Sequence, residues 1–115
     1  MKEYLKDKNI RLRCKKNYPE AHTHIIIGKV VEETCNYIAV KGRTFHFRRI
    51  VDQMISQVHC GDVMVRATPW ENVEVIHWLD KQVDYNADIS FDARGNLILN
   101  DKGKTIIAAK RDGLE

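Results

Sequence analysis

Residues 62–79 read Asp-Val-Met-Val-Arg-Ala-Thr-Pro-Trp-Glu-Asn-Val-Glu-Val-Ile-His-Trp-Leu, and this stretch narrows the choice of fold more than any other. Two β-type runs, 63–66 and 73–78, flank the break Thr68-Pro69-Trp70-Glu71-Asn72. Proline cannot donate to a sheet ladder, and the break has room for one tight turn. The chain therefore stops as a strand and restarts at once as another, which is how a small barrel turns its last corner.

The rest of the chain carries the same short-strand grammar. Positions 9–14 alternate, with Ile10, Leu12 and Cys14 on one face and Arg11 and Arg13 on the other. Residues 23–33 form a long β run holding Ile25-Ile26-Ile27 and an internal Gly28, where a strand bends or admits another backbone closely. Strands are expected over 37–40 and 43–47, with Lys41-Gly42 as a corner between them. Ile50, Val51, Met54, Ile55 and Val58 recur at helical spacing and predict a short amphipathic helix ended by Gly61. After a polar connector at 81–87, three apolar runs at 89–91, 97–99 and 105–109 are separated by Asp/Asn/Gly-rich turns, the pattern of a β-meander. Roughly seven or eight strands are expected, without the strand–helix alternation of a parallel sheet. The expected organisation is an N-terminal tail (1–8), a small β-barrel (9–79) and a C-terminal meander packed on or extending it (80–115).

Composition excludes several classes. At 115 residues, 43% of them hydrophobic and 30% charged, the chain suits one globular domain. No apolar run reaches the ~20 residues of a membrane helix, and the first residues lack the apolar core of a signal peptide. Three cysteines (Cys14, Cys35, Cys60) are expected to be buried free thiols in a reducing cytoplasm. Charge is uneven: residues 1–50 hold twelve Lys/Arg against five Asp/Glu, and residues 51–115 hold seven against eleven. The basic half suits phosphate, and the acidic half suits a basic surface, including that of a second copy.

Chemistry-bearing motifs are sparse. His22, His24, Cys35, His59 and Cys60 supply zinc-type ligands, but none has the Cys-x-x-Cys spacing of a strong site, so no metal or other cofactor is expected. Ser56, Ser90 and the cysteines have no activating motif around them, and the aspartates sit where turns want them. The chain is expected to bind rather than turn over. Trp70 and Trp78 are the expected anchors for a protein partner.

Strand order over 9–78, with the bent strand at Gly28 and the single turn at 68–72, resembles the Sm-like family of SH3-like barrels. Its first motif is matched by residues 28–40, including Asn36, and its second by Val65-Arg66-Ala67 with 72–76, although Ala67 stands where the family has glycine. The resemblance implies an oligomer that binds single-stranded RNA, with Asn36 and Arg66 lining a base pocket. Arg43, His46 and Arg48 form a basic corner interleaved with Phe45 and Phe47, suited to the same ligand. The alternative is a protein-interaction or scaffolding module that contacts no nucleic acid.

Overall fold

The computed structural model describes residues 4–18, 21–50 and 53–110. Among them nine strands and two 3-10 turns form, and every strand pairing is antiparallel. The strands are β1 (Asn9–Cys14), β2 (Thr23–Glu33), β3 (Tyr37–Phe47), β4 (His59–Cys60), β5 (Met64–Pro69), β6 (Val73–Trp78), β7 (Ile89–Phe91), β8 (Leu97–Leu99) and β9 (Ile106–Ala108). The first sheet runs β4-β3-β2-β1-β6, with β5 beside β4 on the free edge of β3; the second is the meander β7-β8-β9.

Pairing registers force the first sheet to curl. Arg13 of β1 lies opposite Ile25 of β2, and Ile38 of β3 lies opposite Glu33. Those two positions of β2 would be ~26 Å apart in a straight strand. Yet Pro69 pairs beside Tyr37, Val73 pairs beside Cys14, and only the 3-10 turn Trp70–Asn72 joins them. Four residue steps reach at most ~14 Å. The turn is bonded at both ends: Trp70 N–H donates to the Asn36 carbonyl (3.3 Å), and Asn72 O accepts from Lys15 N–H (2.8 Å). The end of β1 thus meets the β2–β3 turn. Among the described residues no ladder joins β5 to β6, so the roll is held by this turn and stays open as a sheet.

Two glycines permit the bend. Gly28 lies directly opposite Gly42, and a Cβ on Gly28 would come within 2.6 Å of Gly42 Cα. Gly42 therefore does not make the corner expected at 41–42. It sits inside one continuous eleven-residue strand, where the neighbouring backbone leaves no room for a side chain.

Both faces of the curled sheet are covered, which is why Ile25-Ile26-Ile27 is an unbroken apolar run. Ile26 joins Ile10, Leu12, Val30, Ile38 and Val40 inside the roll, and Trp70 and Val73 pack against this cluster. Ile25 and Ile27 face outward with Phe45 and Phe47, beneath Leu97, Leu99 and Ile107 of the meander. Each fully buried side chain of this size contributes about 1.5–3 kcal/mol. The meander turns are held by their aspartates. Asp92 Oδ1 accepts from the N–H groups of Arg94 and Asn96 (both 2.9 Å), with Gly95 at φ +83°.

The helix expected from the 50–58 pattern does not form among the described residues. Ile55–Gln57 is a single 3-10 turn followed by β4, while Val51 lies outside the described residues. Ile50 and Val58 are buried but Met54 and Ile55 are exposed, so the apolar spacing reflects two separate insertions into the outer core. The cysteines also differ from expectation: Cys35 and Cys60 are exposed, and Cys14 is half-buried. No helix among the described residues is long and apolar enough to cross a membrane.

Candidate functional site

The residues expected to meet RNA are not drawn together. Asn36 is exposed in the β2–β3 turn, while His46 and the exposed Arg48 lie at the far end of β3. Arg43 braces the fold: its Nε donates to Gly61 O (3.1 Å), its Nη1 donates to Tyr85 O (3.3 Å), and its guanidinium sits 5.6 Å above the Phe45 ring. Arg66 donates to Gly42 O (3.1 Å) and Asp62 O (3.0 Å), away from Asn36. A base pocket built from Asn36 and Arg66 is therefore not assembled.

The two tryptophans separate cleanly. Trp70 is half-buried, packs on the inner core, and its Nε1–H donates to Thr34 O (2.6 Å). It plugs the end of the roll. Trp78, at the end of β6, is 67% exposed, more than any other large apolar side chain among the described residues.

Trp78 stands at a cleft of about 740 Å³ between the β1–β6 edge and the meander. Arg11, Arg13, Arg94 and Lys104 line it against two carboxylates, Glu74 and Asp80. The alternation of β1 and β6 sends Arg11, Arg13 and His77 to the side opposite the inner core. Buried Arg11 donates through Nε to the carbonyl of Ile107, and its Nη1 lies 3.3 Å from His77 Nδ1. That contact ties β1 to β9 and fixes the cleft floor. Arg13 lies 3.7 Å from Glu74. Arg94 and Lys104 are exposed at the rim, each supplied by a turn at one end of β8. The result is a flat aromatic surface beside a positive trough. Of this set the sequence singled out only Trp78. The cations lie far apart along the chain and meet only once the meander docks.

A second cluster lies on another part of the sheet. Register places His24 opposite His46, and His46 opposite His59. Their ring centres are 5.1 Å and 5.0 Å apart and nearly parallel, at 16° and 15°. His22, two residues before His24 on the same face, has its ring centre 5.7 Å from His46, 6.5 Å from His24 and 6.4 Å from His59. Burial, then the neighbouring histidines, push the His24 and His46 pKa values below the ordinary imidazole range. Both shifts favour the neutral ring. Of the five zinc-type residues noted in sequence, His22, His24 and His59 meet here. Cys35 lies in the distant β2–β3 turn, and Cys60 follows His59 on the alternate face of β4. The rings stack and do not converge on a point, and among the described residues no group of three or more His, Cys, Asp or Glu side chains could hold a metal ion.

No family model, curated protein or solved structure matches the chain.

Proposed function

We propose that this chain is a non-catalytic binding protein built on an SH3-like, Sm-like small barrel, and that it contacts single-stranded RNA in the cleft beside Trp78. The observation that carries the reading is the exposed indole set beside the exposed Arg94 and Lys104 at the rim of the cleft. Unpaired bases need a flat partner, and their phosphates need cations; a stacked base contributes about 1–3 kcal/mol. The barrel reading rests on strand order. Five strands follow β6-β1-β2-β3-β5, and one 3-10 turn joins the two outermost. This is the order that the Sm-like resemblance implies. The RNA surface is displaced from the one that resemblance implies, because Arg66 and Arg43 are spent on backbone carbonyls.

The partner class includes a second copy. Among the described residues strand β5 pairs on one side only, and its successive residues Met64 and Val65 are both more than half exposed. An unpaired apolar edge is a template for strand addition, and two β5 edges pair antiparallel across a two-fold axis. The three cysteines are free thiols, which suits a cytoplasmic protein.

Fluorescence anisotropy of a labelled single-stranded RNA tests the reading. Binding should weaken with added salt, log K falling by about 0.7 per log unit of salt for each phosphate neutralised. No binding at low salt overturns it. The second reading is a peptide strand added to the open edge of β6 with Trp78 as its anchor, favoured by β6 pairing, among the described residues, with β1 alone. Binding of that kind would persist in high salt.

A further inference from the structure

We propose that His22, His24, His46 and His59 form an acid-operated latch, which holds β4 and the segment leading into it on the edge of β3 while the rings are neutral and releases them when the rings are protonated. Register places His24, His46 and His59 side by side across β2, β3 and β4. Neighbouring rings in this row stand 5.1 Å and 5.0 Å apart and nearly parallel, and His22 lies 5.7 Å from His46. Neutral aromatic rings at that spacing attract. Imidazolium rings at the same spacing are like charges side by side, and the half-buried His46 would carry its charge between two others.

Strand β4 is the part of the sheet least able to resist that repulsion. Both of its residues are exposed, and among the described residues it pairs with β3 alone, at Phe45–Cys60 and His46–His59. The 3-10 turn before it buries no residue, so Val58 is what anchors the segment in the outer core. The groups around the row do not relieve the charge. Burial, then His24, His59 and His22, disfavour the charged form of His46; burial, then His22, disfavour that of His24. Two residues beyond His46 stands the exposed Arg48, and on the other side of Thr44 the Arg66 guanidinium lies against Gly61. On the β1 side Cys14 follows the Arg13–Ile25 pair, and burial pushes its thiol pKa up, away from the anion. Among the described residues no carboxylate acts on His24 or His46. Because the folded rings resist protonation, the latch is fully closed above the ordinary imidazole value of 6.5. It weakens as pH falls below 6.5 towards the lower folded values.

Amide hydrogen exchange on the full chain tests the latch, read as protection factors so that the intrinsic pH dependence of exchange cancels. The Val58 N–H donates to Ile55 O and the Gly61 N–H to Thr44 O, so these two amides report on the segment. Between about pH 7.5 and pH 5 their protection should fall by about tenfold or more, while the amides of the core run 25–27 change by less than about twofold. In about 1 M salt, where the screening length is about 3 Å, most of the fall should disappear. His46→Gln removes the central ring and His59→Gln the ring on β4; each should cut the fall to less than about threefold, whereas His77→Gln, outside the row, should leave it unchanged. Steady protection down to pH 5, an undiminished fall in both row variants, or a fall indifferent to salt would overturn the proposal. So would simultaneous loss of protection at 25–27, the mark of global unfolding.

Discussion

Adding one methyl group at Gly28 should test the pinch between β2 and β3 directly. In Gly28→Ala the new Cβ would meet Gly42 Cα at 2.6 Å and Lys41 C at 2.7 Å. Carbon atoms settle at ~3.5–4.0 Å, so the two backbones must part by about 1 Å. Strands stand ~4.8 Å apart and their hydrogen bonds fail beyond ~3.5 Å, so the ladder at this register opens. Each lost bond costs about 1 kcal/mol, and overpacking adds about 1–3 kcal/mol. A loss of about 3 kcal/mol follows, a large share of the ~5–15 kcal/mol typical of a domain. In urea, with a slope of about 1–3 kcal/mol per molar, the midpoint should fall by about 1–3 M. Gly103→Ala is the matched control, since nothing lies within 4 Å of its added Cβ. Its stability should stay within ~0.5 kcal/mol of wild type. A Gly28→Ala protein as stable as wild type would refute the close approach, and with it the bend that rolls the sheet.

Trp70→Ala should destabilise by about 3 kcal/mol in the same assay, because it removes the plug of the inner core and leaves Thr34 O without its indole donor. Trp78→Ala should leave stability within ~1 kcal/mol while weakening RNA at least fivefold, measured by melting and anisotropy on one preparation. Asp101 is buried. Burial alone raises its pKa, but hydrogen bonds from Thr105 and the Asp84 N–H outweigh it, and the net shift is downward. Its stabilising contribution is therefore complete above the unfolded value of about 3.9 and is lost as pH falls through the lower folded value. Asp101→Asn should melt lower than wild type at pH 7, and the gap should narrow in acid.

What the sequence made legible is what local chemistry dictates. The Thr68–Asn72 break had one reading, because proline ends a ladder, and the 3-10 turn sits there. The meander was legible because Asp92, Gly95 and Asp101 are turn residues that cap their own hairpins. Gly42 was misread because glycine marks both a corner and a close approach, and only the partner Gly28 distinguishes them. Positions 50–58 were misread because a segment touching one core at two points mimics helical spacing. Both candidate sites were largely hidden. The histidine row depends on which residue of β3 faces β4, and the basic cleft on how the meander docks; neither register is written in a local run.

RNA is expected at the cleft beside Trp78 and not at the Asn36–Arg66 part of the sheet. The chain has two tryptophans, and their indole N–H resonances are separate reporters in an ¹H–¹⁵N correlation spectrum. Titration with single-stranded RNA should shift the Trp78 indole and the amides of 74–78, Arg94 and 103–106. The Trp70 indole, bonded to Thr34 O, and the amides around Asn36 and Arg66 should stay in place. Shifts centred on Asn36 and Arg66 with Trp78 unmoved, or no shifts at low salt, would contradict that placement.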